Sequence, residues 1–87
     1  MHEVRKFPLH ATGDLTFEMP ARADLLHVAV QNGKPCLWAR VNPKAGMTGR
    51  RVRVAGTGQP LGTDTGRHVG SFVLANGADV YHVFEVV

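Results

Sequence analysis

Apolar residues alternate with polar ones or gather in short β-branched runs, and no stretch sustains the i, i+3, i+4, i+7 spacing of an amphipathic helix over three turns. The pattern predicts strands at Glu3–Pro8, Leu15–Met19, Leu25–Gln31, Lys34–Asn42, Arg50–Ala55, His68–Leu74 and Asp79–Val86. Turn-forming residues separate them: Thr12-Gly13-Asp14, Asn32-Gly33, Pro43 to Gly49, Gly56 to Gly66, and Asn76-Gly77. Met19 to Asp24 reads as a turn or a single helical turn, since Pro20 favours a helix start and nothing continues it. About seven short strands predict an all-β fold, either a small antiparallel sandwich or a partly open barrel.

The two Asn-Gly pairs are the strongest local signals, because a two-residue type I′ turn needs both central residues at positive φ. With Asn32-Gly33 as the loop, Gln31 falls opposite Lys34, Val28 opposite Leu37, His27 opposite Trp38 and Leu26 opposite Ala39. One face of this hairpin then carries Leu26, Val28, Val30, Leu37, Ala39 and Val41, the expected core side. The other carries His27, Ala29, Gln31, Cys36, Trp38 and Arg40, a mixed surface of the kind that binds ligands or subunits. Pro35 fits the register if its missing N–H points away from the hairpin, which places that point at a sheet edge or a bulge. With Asn76-Gly77 as the second loop, Phe72 opposes Tyr81, Ser71 opposes His82, Gly70 opposes Val83, Val69 opposes Phe84 and His68 opposes Glu85. Both faces of that pair are apolar enough to need cover, from the other sheet and from a second subunit.

Length and composition narrow the class. The chain has 87 residues, enough for one domain spanning 1–87, with 44% hydrophobic and 20% charged residues, as in globular proteins. No apolar run approaches the roughly 18 residues of a membrane span. The opening Met1 to Lys6 leads into Phe7-Pro8-Leu9 and not into a long apolar stretch, which predicts no secretion signal and a cytoplasmic chain. A lone Cys36 forms no internal disulfide, so stability must come from packing, and a chain this short has reason to form a homo-oligomer. The net charge of +3 favours anionic partners, but no dense basic stripe or recognition helix points to duplex DNA.

Candidate chemistry follows from that charge. Arg51 and Arg53 share one strand face and run into a glycine-rich connection with Thr57 and Gln59, a setting in which guanidinium forks and backbone N–H groups approach phosphate closely. The bland alternative is a solvated strand face followed by a turn-rich link. No Walker loop or dinucleotide-binding glycine pattern is present. Trp38 offers a flat surface for a nucleobase and serves equally well as a core or interface anchor; beside it, His27, Gln31 and Arg40 complete a candidate binding face. Ser71 and His82 fall side by side, yet no acid is placed to orient the imidazole, so no catalytic residues are assigned and no enzyme is expected. The five histidines lack metal-site spacing, and neither a metal nor a cofactor is expected.

The run Leu26 to Ala39 (LHVAVQNGKPCLWA), with Gly56-Thr57-Gly58-Gln59-Pro60, the ending Tyr81-His82-Val83-Phe84-Glu85 and the opening Lys6-Phe7-Pro8-Leu9, resembles a family of short, uncharacterised phage and prophage proteins. The resemblance covers nearly the whole chain and implies no established activity. It does imply a setting in which small oligomeric β-proteins counter host defence. The expectation is therefore a non-enzymatic protein that sequesters a small anionic, nucleotide-like ligand, with Trp38 and His27 on the base and Arg51, Arg53, Thr57 and Gln59 on the phosphates. The alternatives are a protein-interaction module that inhibits a host defence complex, and a structural or accessory phage protein.

Overall fold

The computed structural model describes residues 1–87 apart from the Ala75 side chain. Seven strands form in the expected order: β1 (Glu3–Pro8), β2 (Gly13–Pro20), β3 (Asp24–Gln31), β4 (Lys34–Val41), β5 (Met47–Gly56), β6 (Thr65–Leu74) and β7 (Asp79–Val86). They make two antiparallel sheets, a three-stranded one ordered β1-β4-β3 and a four-stranded one ordered β2-β5-β7-β6. The sheets are packed as an open sandwich and do not close into a barrel. No helix among the described residues is long and apolar enough to cross a membrane.

Alternation decides what lies between the sheets. Leu15, Phe17 and Met19 of β2, Leu37, Ala39 and Val41 of β4, Val52 and Val54 of β5, and Val83 of β7 point inward and are buried together. At one corner the sheets come unusually close. A Cβ on Gly70 of β6 would sit 2.6 Å from Val28 Cγ2 and 3.4 Å from Val28 N, so only glycine lets β6 approach β3 there. Two arginines tie the same corner: Arg50 donates to the Ala23 carbonyl at 2.7 Å, and Arg67 donates to the Leu25 carbonyl and pairs with Asp24 at 3.6 Å.

Both Asn-Gly reversals have the required backbone, with Asn32 at φ 51° and Gly33 at 78°, and Asn76 at 58° and Gly77 at 90°. The first hairpin keeps its register from Gln31↔Lys34 to His27↔Trp38, so Val28 faces the core and Trp38 the opposite side. Beyond that point the expected ladder is wrong by one residue. A bulge leaves Leu26 unpaired and sets Leu25 opposite Ala39, so Leu25 is 1% exposed in the core while Leu26 is 42% exposed. Val30, expected in the core, is also exposed near the open end. At Pro35 the far side of β4 is free of the ladder, as the register requires, because the pairing with β1 ends at Pro8↔Cys36 and beyond it the Pro35 carbonyl accepts from Leu9 N; the expected cause differs, since β4 is the central strand and no bulge lies there.

The second hairpin holds from Val73↔Val80 to Gly70↔Val83 and then shifts through a second bulge, so His68 opposes Phe84 and not Glu85. The apolar outer side of this hairpin is covered in part by the chain itself. Leu61, in the connection between β5 and β6, lies over a recess of about 270 Å³ that Ala55 and Phe84 also line.

Candidate functional site

The eight residues expected to form one site fall into two groups on opposite outer faces of the sandwich. Trp38, His27, Gln31 and Arg40 lie on the solvent side of the three-stranded sheet, because their ladder positions alternate with Val28, Leu37 and Ala39 of the core. Arg51 and Arg53 lie on the solvent side of the four-stranded sheet, alternating with Val52 and Val54, and Thr57 and Gln59 follow in the connection after β5. The core separates the groups. Within one chain the fold does not bring the indole and the arginines together.

On the four-stranded sheet the expected phosphate ligands are engaged within the chain. Arg53, with its side chain 18% exposed, donates to Asp14 at 2.6 and 3.0 Å, to Asp64 at 2.6 and 3.3 Å and to the Leu61 carbonyl at 2.6 Å. These hydrogen bonds from Arg53 hold both carboxyls below the usual carboxylate range and push the guanidinium pKa up. Arg51, half-exposed, lies 3.9 Å from each of the same two carboxylates. Two guanidiniums thus face two carboxylates, which leaves no local excess of positive charge for a phosphate. Gln59 closes its own turn, its Oε1 accepting from Gly56 N at 2.7 Å.

Thr57 belongs to a chain of side chains that the sequence revealed only in part. His82 Nε2 lies 2.8 Å from Thr57 Oγ1, His82 Nδ1 lies 2.7 Å from Ser71 Oγ, and Ser71 Oγ lies 3.0 Å from His68 Nε2. Ser71 and His82 meet as expected. His68 was missed because it lies three residues from Ser71 and would face the other way on a regular strand. The bulge after His68 adds the residue that turns both outward. The hydrogen bonds can run in one consistent direction: His68 N–H to Ser71, Ser71 O–H to His82, His82 N–H to Thr57, and Thr57 O–H to the Val80 carbonyl 3.4 Å away. Among the described residues no carboxylate bonds His82, so the chain orders hydroxyls and imidazoles and ties the start of the connection to β6 and β7.

On the three-stranded sheet the groups remain turned to solvent. Trp38, on the central strand, is flanked by Lys6 of β1 and His27 of β3, with the imidazole and indole centroids 6.4 Å apart. Lys6 Nζ donates to Gln31 Oε1 at 2.7 Å, and Arg40 reaches Asp24 at 3.4 Å across an exposed pair. Lys6, Lys34 and Arg40 share this side with Asp24 as their one carboxylate, so it carries a positive excess. Val4 at 58% exposed and Leu26 at 42% add apolar surface. Cys36, buried beneath this face, donates its thiol weakly to the Lys34 carbonyl at 3.5 Å.

No curated protein and no solved structure matches the chain. The match to an uncharacterised family is complete in length: the chain belongs to the family described as Domain of unknown function (DUF7352), whose model covers residues 1–87.

Proposed function

We propose that the protein is an interaction module that docks an acidic protein surface on the outer face of its three-stranded sheet. The observation that carries this reading is the placement of Trp38, the single tryptophan, partly exposed at the middle of an open sheet face with Lys6 beside it and Arg40 two residues along the strand. Such an arrangement, a rigid aromatic anchor with a polar rim, concentrates binding energy in interfaces. Trp38 does not line the recesses formed around Leu9, Leu61 and Ala78, and an open face suits a protein better than an enclosed small ligand.

Sequestration of a nucleotide needs stacking and phosphate contacts within one site, and these lie on opposite faces. A second copy of the chain is disfavoured on the same face, because a two-fold contact would bring Lys6, Lys34 and Arg40 of both copies together. In the phage or prophage setting that the Leu26–Ala39 run suggests, the acidic partner would be a host defence protein. The test is capture of a partner by the tagged chain in its native cell, repeated with Arg40→Glu and across a salt series. Loss of capture with the charge reversal, and weakening with salt, is expected. A partner that binds Arg40→Glu as well as the parent chain overturns the reading.

A further inference from the structure

A second region of the molecule has the form of a ligand site and lies away from Trp38. Where the Pro8–Thr12 connection, the turn after β3 and the ends of β6 and β7 meet, the sandwich opens into a recess of about 540 Å³. That volume falls within the range of roughly 300–1,000 Å³ typical of small-molecule sites. Its floor is part of the core: Leu9 is buried, Leu74 and Tyr81 pack against the buried cluster, and the Tyr81 ring stacks on Phe72 with centroids 5.5 Å apart. Its walls are fixed, because Leu9 N donates to the Pro35 carbonyl at 3.0 Å and so ties the connection to the start of β4.

The rim adds charge of one sign. Lys34 borders the recess, and among the described residues its ammonium makes no ion pair and no side-chain hydrogen bond. A four-carbon stem gives that ammonium reach over the opening. An apolar floor beneath one unpaired cation fits a molecule with a hydrocarbon body and a terminal anion, whose charge stays at the wet rim while its body leaves water. A nucleotide's phosphates would call for several cationic donors, and Lys34 is the one lysine or arginine that lines the recess.

We propose that this recess binds a compact apolar carboxylic acid, with its hydrocarbon against Leu9, Leu74 and Tyr81 and its carboxylate at Lys34. The site is separate from Trp38: its floor of Leu9, Leu74 and Tyr81 belongs to the core side at the end of the sandwich, and Lys34, at the last ladder pair of β3 and β4, is the residue it shares with the border of the docking face.

The experiment titrates 2-naphthoate and neutral 2-naphthamide into the full chain and follows the backbone amides by two-dimensional NMR. Saturable shifts centred on Leu9, Thr12 and Gly33 are expected, with the acid bound about fivefold more tightly than the amide, the ratio an exposed ion pair of about 1 kcal/mol provides. Lys34→Gln should bring the two ligands to equal affinity. Ala11→Trp, at an exposed rim position, should block both ligands while leaving partner capture by the Trp38 face unchanged. Shifts centred elsewhere, no saturation by either ligand, or an unchanged acid-to-amide ratio in Lys34→Gln would overturn the assignment.

Discussion

The two outer faces of the sandwich carry similar residue types and use them in opposite ways. On the four-stranded sheet, Arg53 is held by Asp14 and Asp64, the imidazole of His82 is held by two hydroxyls, and the connection carrying Leu61 lies over the apolar surface. On the three-stranded sheet, Trp38, His27, Lys6 and Arg40 look outward, with one exposed ion pair and one lysine–glutamine contact among them. A net charge of +3 therefore says little about where an anion or an acidic surface would bind. What matters is which cations remain after the fold has paired the others.

The contrast depends on the faces pointing in opposite directions, which the close approach of β3 and β6 enforces. Gly70→Ala tests that first and should have the largest effect: the new methyl group collides with Val28, which is 2% exposed and has no room to move. A loss of about 1–3 kcal/mol in chemical unfolding is expected, the usual cost of overpacking. A neutral result would mean that the corner is looser than the backbone spacing indicates.

Next in size is the loss of the paired face. Arg53→Met should lower the thermal midpoint and raise amide exchange across residues 57–64, because the guanidinium holds the Leu61 carbonyl and leaves two carboxylates close together when removed. Acid should act in the same direction. Asp14 and Asp64 have folded-state pKa values below their ordinary 3.8, so the contribution of the pair is complete at neutral pH. It begins to fall as the pH drops through about 4 and is lost below the folded values. Exchange at residues 57–64 that stays unchanged down to that range would contradict the role given to Arg53.

Smaller effects separate the faces further. Ser71→Ala removes the hydroxyl between His68 and His82 and should cost about 0.5–1.5 kcal/mol in denaturant unfolding, the net value of an intramolecular hydrogen bond. Arg40→Met on the other face should change stability by no more than about 0.5 kcal/mol, since its pairing with Asp24 is exposed and long. Equal costs for these two substitutions would erase the distinction between an internally bonded face and a free one.

Much of the fold was legible because its determinants are local. Asn32-Gly33 and Asn76-Gly77 set two reversals whose backbone angles follow from residue type, and alternation around them placed Val28 and Trp38 on opposite sides. The bulges were not legible. Leu25 and Leu26 are identical side chains, so hydrophobic pattern alone gives no preference for which one enters the core, and the same holds for the step that brings His68 beside Ser71. The pairing of the expected phosphate ligands was hidden for a non-local reason. Asp14 and Asp64 lie 39 and 11 residues from Arg53, and only the pairing of β2 with β5 and the return of the connection bring them together. Residue type correctly marked Arg53 as a strong anion partner; the chain supplies the anions itself.

The most direct measurement compares the affinity of the captured partner for Trp38→Ala, at a partly exposed position, and Arg51→Ala, at an exposed position on the opposite face. Loss of an aromatic anchor should weaken binding about tenfold or more in Trp38→Ala, while Arg51→Ala stays within about twofold of the parent. Weakened binding in Arg51→Ala with full affinity in Trp38→Ala would place recognition on the four-stranded sheet and contradict the account.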